Sequence, residues 1–166
     1  AVSKPEVVAL PRRNDRKSSP TALSFAVRYD AGATGLPGRA TLRRWVQCAQ
    51  ERELAVMLRF IDAREGRRLN ARFRGRDYAT NVLTFVYDDI VPLSGDIVLC
   101  APVLSREASS QGKTLRAHCA HLVIHGMLHL QGYDHHRSAD AARMEAREIA
   151  LLRSLRYADP YQAPAA

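Results

Sequence analysis

Three histidines stand in the segment His125-Gly-Met-Leu-His129-Leu-Gln-Gly132-Tyr-Asp-His135. On a helix, residues four apart project from the same face, one turn from each other, so His125 and His129 aim their imidazoles at a common point. A glycine at 132 allows the helix to end in a left-handed turn, and the following residues then bring His135 back toward the pair. Three neutral imidazoles converging in this way form a tetrahedral zinc site with one position open, the pattern of a catalytic rather than a closed structural zinc.

The spacing resembles the metzincin pattern H-E-x-x-H-x-x-G-x-x-H with one change of chemical consequence. The general-base glutamate of such proteases is replaced by Gly126. The metal scaffold is therefore expected without the protease base. No charged residue occurs in 119–130, and Leu122, Val123, Ile124, Met127, Leu128 and Leu130 point all round the helix, which predicts a buried element. His121 and His129 are eight residues apart, about 12 Å along a helix, too far to share one zinc with bonds of about 2 Å. His121 is thus read as a residue that supports the ligands or fills the core, and His118 as a basic surface or cleft residue. Cys119 falls on another face and is given no metal role.

The chain carries a net charge of +8, and six arginines (Arg64, Arg67, Arg68, Arg72, Arg74, Arg76) lie within one short stretch against only Glu65 and Asp77. Arg39, Arg43 and Arg44 form a second group. A phosphate backbone is the natural partner of such clusters, with binding that weakens in salt. A dication held by three neutral ligands keeps its charge and favours an anion as well. Three cysteines at unrelated spacings (Cys48, Cys100, Cys119) make no disulfide framework, and no apolar run approaches a membrane span or a signal sequence. A cytoplasmic protein without membrane partners is expected.

The elements that must position the histidines follow from periodicity and turn chemistry. Residues 1–20 mix prolines with basic residues and show no period, so they are read as a flexible basic tail. Alternation predicts a strand at 23–29, a Gly-rich loop at 32–38 precedes a helix at 39–53, and 55–61 is a buried strand. Asp62 caps a helix to Arg74, 81–87 is a third strand, and a short fourth strand spans 96–99 with Gly95 at its start. Pro102 opens a helix to 110, the histidine helix begins near Thr114, and Ser138 caps a last amphipathic helix to about 156 carrying Met144, Ile149, Leu151 and Leu152. Residues 157–166 are read as a tail. The expected architecture is a single α+β domain over 21–156, with a small mixed four-stranded sheet, about five helices, and a buried helix bearing the metal-binding histidines.

Residues 125–135 match throughout the pattern H-G-x-L-H-L-x-G-Y-D-H, the hallmark of the YbeY family of bacterial zinc-dependent endoribonucleases and rRNA maturation factors, which the chain resembles from about Leu23 to Leu155. A second stretch of that family is found as Leu69-Asn70, Phe73-Arg74, Asp77 and Thr80 to Phe85, and a third as Gly95 to Cys100. Thr84 and Val86 depart from the usual serine and proline. The resemblance implies a zinc-dependent, single-strand-specific endoribonuclease acting in ribosomal RNA processing, namely 16S rRNA 3′ end maturation on the small ribosomal subunit, and in ribosome quality control; DNA is not an expected partner. It points to one Zn2+ on His125, His129 and His135, and to Arg74 as the cation at the scissile phosphate. A guanidinium suits that post because it grips two phosphate oxygens and keeps its proton. Asp134 serves either as base or as a support for the His135 imidazole, and a substrate phosphate oxygen is the other candidate proton acceptor. Phe73 and Tyr133 are candidates for stacking a base, with core packing the alternative for Phe73. Two other functions compete: a non-catalytic RNA-binding ribosome assembly factor with structural zinc, and a metallopeptidase drawing its base from elsewhere.

Overall fold

A computed structural model of the chain describes residues 22–88 and 90–162, so the basic segment 1–20 and the last four residues of the expected C-terminal tail lie outside the described residues. Four strands, β1 (Leu23–Tyr29), β2 (Leu54–Ile61), β3 (Val82–Asp88) and β4 (Leu93–Cys100), and five helices, α1 (Arg39–Ala49), α2 (Ala63–Arg74), α3 (Ala101–Ser110), α4 (Leu115–Leu130) and α5 (Ser138–Ser154), make the α+β domain the sequence predicts. The sheet order is β1-β2-β4-β3. β1, β2 and β4 run parallel, and β3 closes one edge antiparallel to β4.

Alternation along the strands divides the apolar residues between two faces. Ile97 and Leu99 of β4, with Phe25, Val56, Leu58 and Phe60, join α1, α4 and α5 in the main core. Val98 and Cys100 turn the other way, to Leu69 of α2, Leu83 of β3 and Val103 of α3. The helix α4 lies at the middle of the larger layer, touching α1, α3, α5, β3 and β4. From Cys119 to Leu130 its sequence is uncharged and almost wholly buried, and only the stripe of His121, His125 and His129 stays partly exposed.

Local signals set the helix starts. Thr114 accepts from the Ala117 amide at 3.1 Å to cap α4, and Asp62 accepts from the Glu65 amide at 2.8 Å to cap α2. Gly75 (φ 65°) ends α2 in the left-handed conformation. Several boundaries differ from the sequence reading, and Ser138 is the first residue of α5 rather than its cap, the cap position falling to Arg137 without a side-chain bond. The helix α1 stops at Ala49 rather than 53, because the amides of Glu51 and Arg52 bond to Gln131 Oε1 (2.6 and 3.2 Å) instead of continuing the turn. The strand β4 begins at Leu93, not Asp96, since it pairs with β2 along its whole length. Residues 157–162 do not run free: Tyr157 packs edge-on against Trp45, and Lys113 Nζ donates to the Pro160 carbonyl at 2.9 Å.

Two glycines set how closely α4 approaches the sheet. A Cβ on Gly126 would stand 2.8 Å from Ile97 Cγ2, and one on Gly95 would stand 2.3 Å from both Leu130 Cδ1 and the Phe85 carbonyl oxygen. Gly95 is therefore an interior strand residue at a close contact, not a strand opener. Replacing a helical glycine by alanine normally gains about 1 kcal/mol from helix propensity. At Gly126 that gain competes with an overpacking cost of about 1–3 kcal/mol, because Ile97 is fully buried and has nowhere to move. Gly126→Ala should consequently lower, not raise, the midpoint of thermal unfolding, as followed by circular dichroism.

Candidate metal centre

The histidine cluster is built at the C-terminal end of α4. His125 and His129 face the same way from successive turns, with ring centroids 4.6 Å apart. After Leu130 the chain turns at Gly132 (φ 99°), where the Tyr133 amide bonds back to the Leu128 carbonyl at 3.0 Å. This turn brings His135 back, its ring centroid 4.7 Å from that of His129 and 5.8 Å from that of His125. One nitrogen from each of the three rings lies within 4.8 Å of the others, close enough for all three to hold one metal ion.

The outer nitrogens decide which lone pairs face inward. His129 Nδ1 lies 3.0 Å from the Tyr133 carbonyl, which can only accept, so Nδ1 carries the proton and Nε2 presents its lone pair. His125 Nδ1 is bonded to the Glu148 carboxylate, which frees Nε2 in the same way. His129 Nε2 lies 3.0 Å from His135 Nδ1. Two ligand nitrogens about 2.0–2.1 Å from a tetrahedral zinc stand about 3.3–3.4 Å apart, so the spacing is near that of a filled site. Burial, then the neighbouring His125 and His135, push the His129 pKa down to about 4, and His135 is lowered too, chiefly by burial. Both rings stay neutral at pH 7, as metal ligation demands. The residues present fit a metal of the zinc type.

Gly126, where a metalloprotease carries its base, faces β4 at Ile97. No side chain at 126 reaches the histidines without moving α4 off the sheet. Asp134 sits beside the cluster with Oδ1 accepting from the amides of His135 (2.6 Å) and His136 (3.2 Å). Burial acts to raise its pKa, but these amide bonds and the adjacent histidines outweigh it and leave it lowered. Arg74 is the last residue of α2, exposed, and its charge helps depress the His135 pKa, which puts it on the same side of the molecule as the cluster. Of the arginines around it, Arg67 pairs with Asp77 and Arg68 with Glu65. Among the described residues Arg64, Arg72, Arg74 and Arg76 form no ion pair.

Other sequence expectations are corrected. His118 is not at the surface: it is 3% exposed and bonded to Glu107 Oε1 at 3.2 Å. Tyr133 is held by Glu51 through its hydroxyl and is not free to stack a base. Phe73, by contrast, is 43% exposed, in a T-shaped contact with Phe85 and with the Arg72 guanidinium 5.2 Å from its ring centroid. His121 Nε2 lies 3.3 Å from Oε2 of Glu148, the carboxylate that also holds His125. Glu148 itself was missed. It takes the inward position on α5 that periodicity gave to Ile149, three and four residues from Leu151, Leu152 and Met144. A carboxylate on an otherwise apolar helical stripe was the available signal. Burial alone would raise its pKa, yet hydrogen bonds from His121, His125 and Tyr161 together bring it down to about 2.

The sequence model described as Endoribonuclease YbeY matches residues 39–156. A protein of that name from Nitrosomonas europaea is 55% identical over 139 residues, covering 84% of this chain and 85% of the relative. Another, from Thiobacillus denitrificans, is 51% identical over 141 residues, 84% of this chain and 96% of the relative. A solution structure of a Thermotoga maritima protein shares the fold, with a TM-score of 0.52 at 24% identity over 84% of this chain and 99% of that one.

The lowered histidines have a consequence for acid stability. In the unfolded chain His129 takes up a proton near pH 6.5, whereas in the fold it resists until about 4. The unfolded state thus binds more protons between these values, so the stability of the metal-free protein falls with falling pH across that window, by at most about 1.4 kcal/mol per pH unit for this one group. Denaturant melts of metal-free protein at pH 7, 6, 5 and 4 should show this slope, flattened in His129→Gln.

Proposed function

Since the chain belongs to the Endoribonuclease YbeY family, we propose that it is a zinc-dependent endoribonuclease that cuts single-stranded RNA, acting in 16S rRNA 3′ end maturation on the small ribosomal subunit and in ribosome quality control. The observation that carries this reading is the converging lone pairs of His125, His129 and His135 beside a cationic surface, with no acidic side chain at 126. A peptidase would need that base.

In this reading His125, His129 and His135 hold one Zn2+. A zinc ion held by them would supply Lewis acidity toward a phosphoryl oxygen and would lower the pKa of a water to about 7. Arg74 grips the scissile phosphate through its two-pronged guanidinium and offsets the negative charge that grows in the transition state. Arg64, Arg72 and Arg76, free of acidic partners among the described residues, lie along the RNA backbone, and the exposed ring of Phe73 stacks a base. The two amide bonds to Asp134 support a role in fixing the turn that carries His135 over a role as proton acceptor, and a phosphate oxygen of the substrate takes the proton. An A-form duplex holds its backbone too stiffly to deliver a phosphodiester to the end of a buried helix, which favours single strands. No helix among the described residues is long and apolar enough to cross a membrane.

Wild-type protein should bind one zinc per chain, measured by metal analysis after dialysis, and His129→Ala should lose it. Undiminished zinc in His125→Ala, His129→Ala or His135→Ala would show that the ligand set is wrong. Arg74→Glu should keep its fold and zinc while cleavage of single-stranded RNA falls by about 10²–10³-fold, the range for removing one transition-state donor; full activity would dismiss Arg74. Casein should remain intact and a matched duplex RNA should be cut far more slowly. A wild type that binds zinc yet never cuts RNA would favour a structural zinc in an assembly factor.

A further inference from the structure

Glu148 has no exposed surface, and its two oxygens are shared among three side chains: His125 Nδ1, His121 Nε2 at 3.3 Å, and the Tyr161 hydroxyl. An ionised carboxylate only accepts hydrogen bonds, so all three partners must donate. That condition fixes His125 as the Nδ1–H tautomer, with the Nε2 lone pair turned toward His129 and His135. It fixes His121 as the Nε2–H tautomer, whose Nε2 also lies 3.3 Å from the Tyr161 hydroxyl, and His121 Nδ1 is a buried nitrogen without a partner among the described residues.

Tyr161 lies beyond residue 156, where the family match ends. It reaches Glu148 because the segment after α5 is fastened to the body: Lys113 holds the Pro160 carbonyl, Arg116 donates to the Tyr157 hydroxyl at 3.2 Å, and the Tyr161 ring meets His121 edge-on with centroids 5.4 Å apart. Tyr161, Glu148, His125 and His135 share the wall of one cavity of about 280 Å³. The tyrosine thus stands between Glu148 and solvent on the side where the ligands open.

We propose that Glu148 and Tyr161 form a positioning pair for the metal centre, Glu148 holding the His125 ring in its ligating tautomer and Tyr161 holding Glu148. The pair acts through His125; the proposal rests on the reading of His125, His129 and His135 as the metal site. Outer partners of metal-bound histidines typically contribute about 10–100-fold to metal affinity, and a buried carboxylate with three donors belongs in that range. Glutamine at 148 preserves shape but replaces a charged triple acceptor with a neutral group carrying donors of its own. Phenylalanine at 161 removes a single hydroxyl and leaves the carboxylate in place.

The test is zinc affinity by chelator competition on folded protein, combined with 15N NMR of the histidine rings in the metal-free state. Glu148→Gln should weaken zinc by about 10–100-fold and Tyr161→Phe by a smaller factor. In the Glu148→Gln background, Tyr161→Phe should cost nothing further, since its effect passes through the carboxylate. The metal-free wild type should show His125 with its proton on Nδ1, and Glu148→Gln should mix the tautomers. A Glu148→Gln protein that binds zinc within twofold of wild type, equal losses from Tyr161→Phe in both backgrounds, or mixed His125 tautomers in the wild type would each overturn the proposal. So would two zinc ions per chain falling to one in Glu148→Gln, which would make His121, His125 and Glu148 a second ion site. If Glu148→Gln does not fold, an unchanged zinc affinity and His125 tautomer in Tyr161→Phe would overturn the tyrosine's role, and a weakened affinity would sustain it. Failure of wild type to bind zinc at all would sink the function proposed above, while the metal-free tautomer would still report on the pair.

Discussion

The close approach of α4 to β4 is the constraint on which the rest of the molecule depends. Gly126 lets the helix rest on Ile97, and Gly95 lets its last turn settle over the sheet beneath Leu130. With α4 pressed this tightly, α1, α3 and α5 pack around it and share one apolar core with the sheet. The chemistry follows from the same contact. A helix buried to its last turn delivers its terminal histidines into surroundings that disfavour charge, and neutral imidazoles are what a metal requires. The residue that secures the packing also occupies the position where a protease would carry its base, so one glycine settles both the architecture and the class of chemistry.

The polar groups around α4 reinforce this arrangement from several directions. The Tyr133 carbonyl orients His129 from the turn just after the helix, and Glu148 orients His125 from α5. Asp134 ties the backbone of the turn that returns His135. His129 and His135 are therefore governed by the one turn after α4, while His125 is held independently from α5. The cations of α2 come from the opposite face of the sheet, with Arg74 in the last turn before Gly75.

Much of this was legible in the sequence because the decisive signals are local. The 125–135 spacing, Gly132 at the turn, and the caps at Asp62 and Thr114 depend on residues within a few positions of each other, and the structure realises each of them. What was misread depends on contacts between distant residues. The end of α1 is decided by Gln131, about eighty residues away. Gly95 looked like a strand opener because nothing near it in sequence announces Leu130 overhead. His118 resembled a surface base until Glu107 of α3 was seen against it. The place of Glu148 on an apolar stripe marks it in the sequence, but its three donors, His121, His125 and Tyr161, lie 13 to 27 residues away and give no local signal.

Gln131 carries a further implication for motion. Its side chain is almost wholly buried, accepting from the amides of Glu51 and Arg52 while donating to the carbonyls of Ala49 and Met127. Helix ends ordinarily fray one residue at a time, at little free-energy cost. Here the last turn of α4 cannot unwind without also releasing the end of α1 and the approach to β2, so the two helix termini open together or not at all. Amide hydrogens at both places should then exchange with solvent as one slow cooperative unit, and a ligand seated on His129 would leave through the mouth of the site rather than through a loosened helix end.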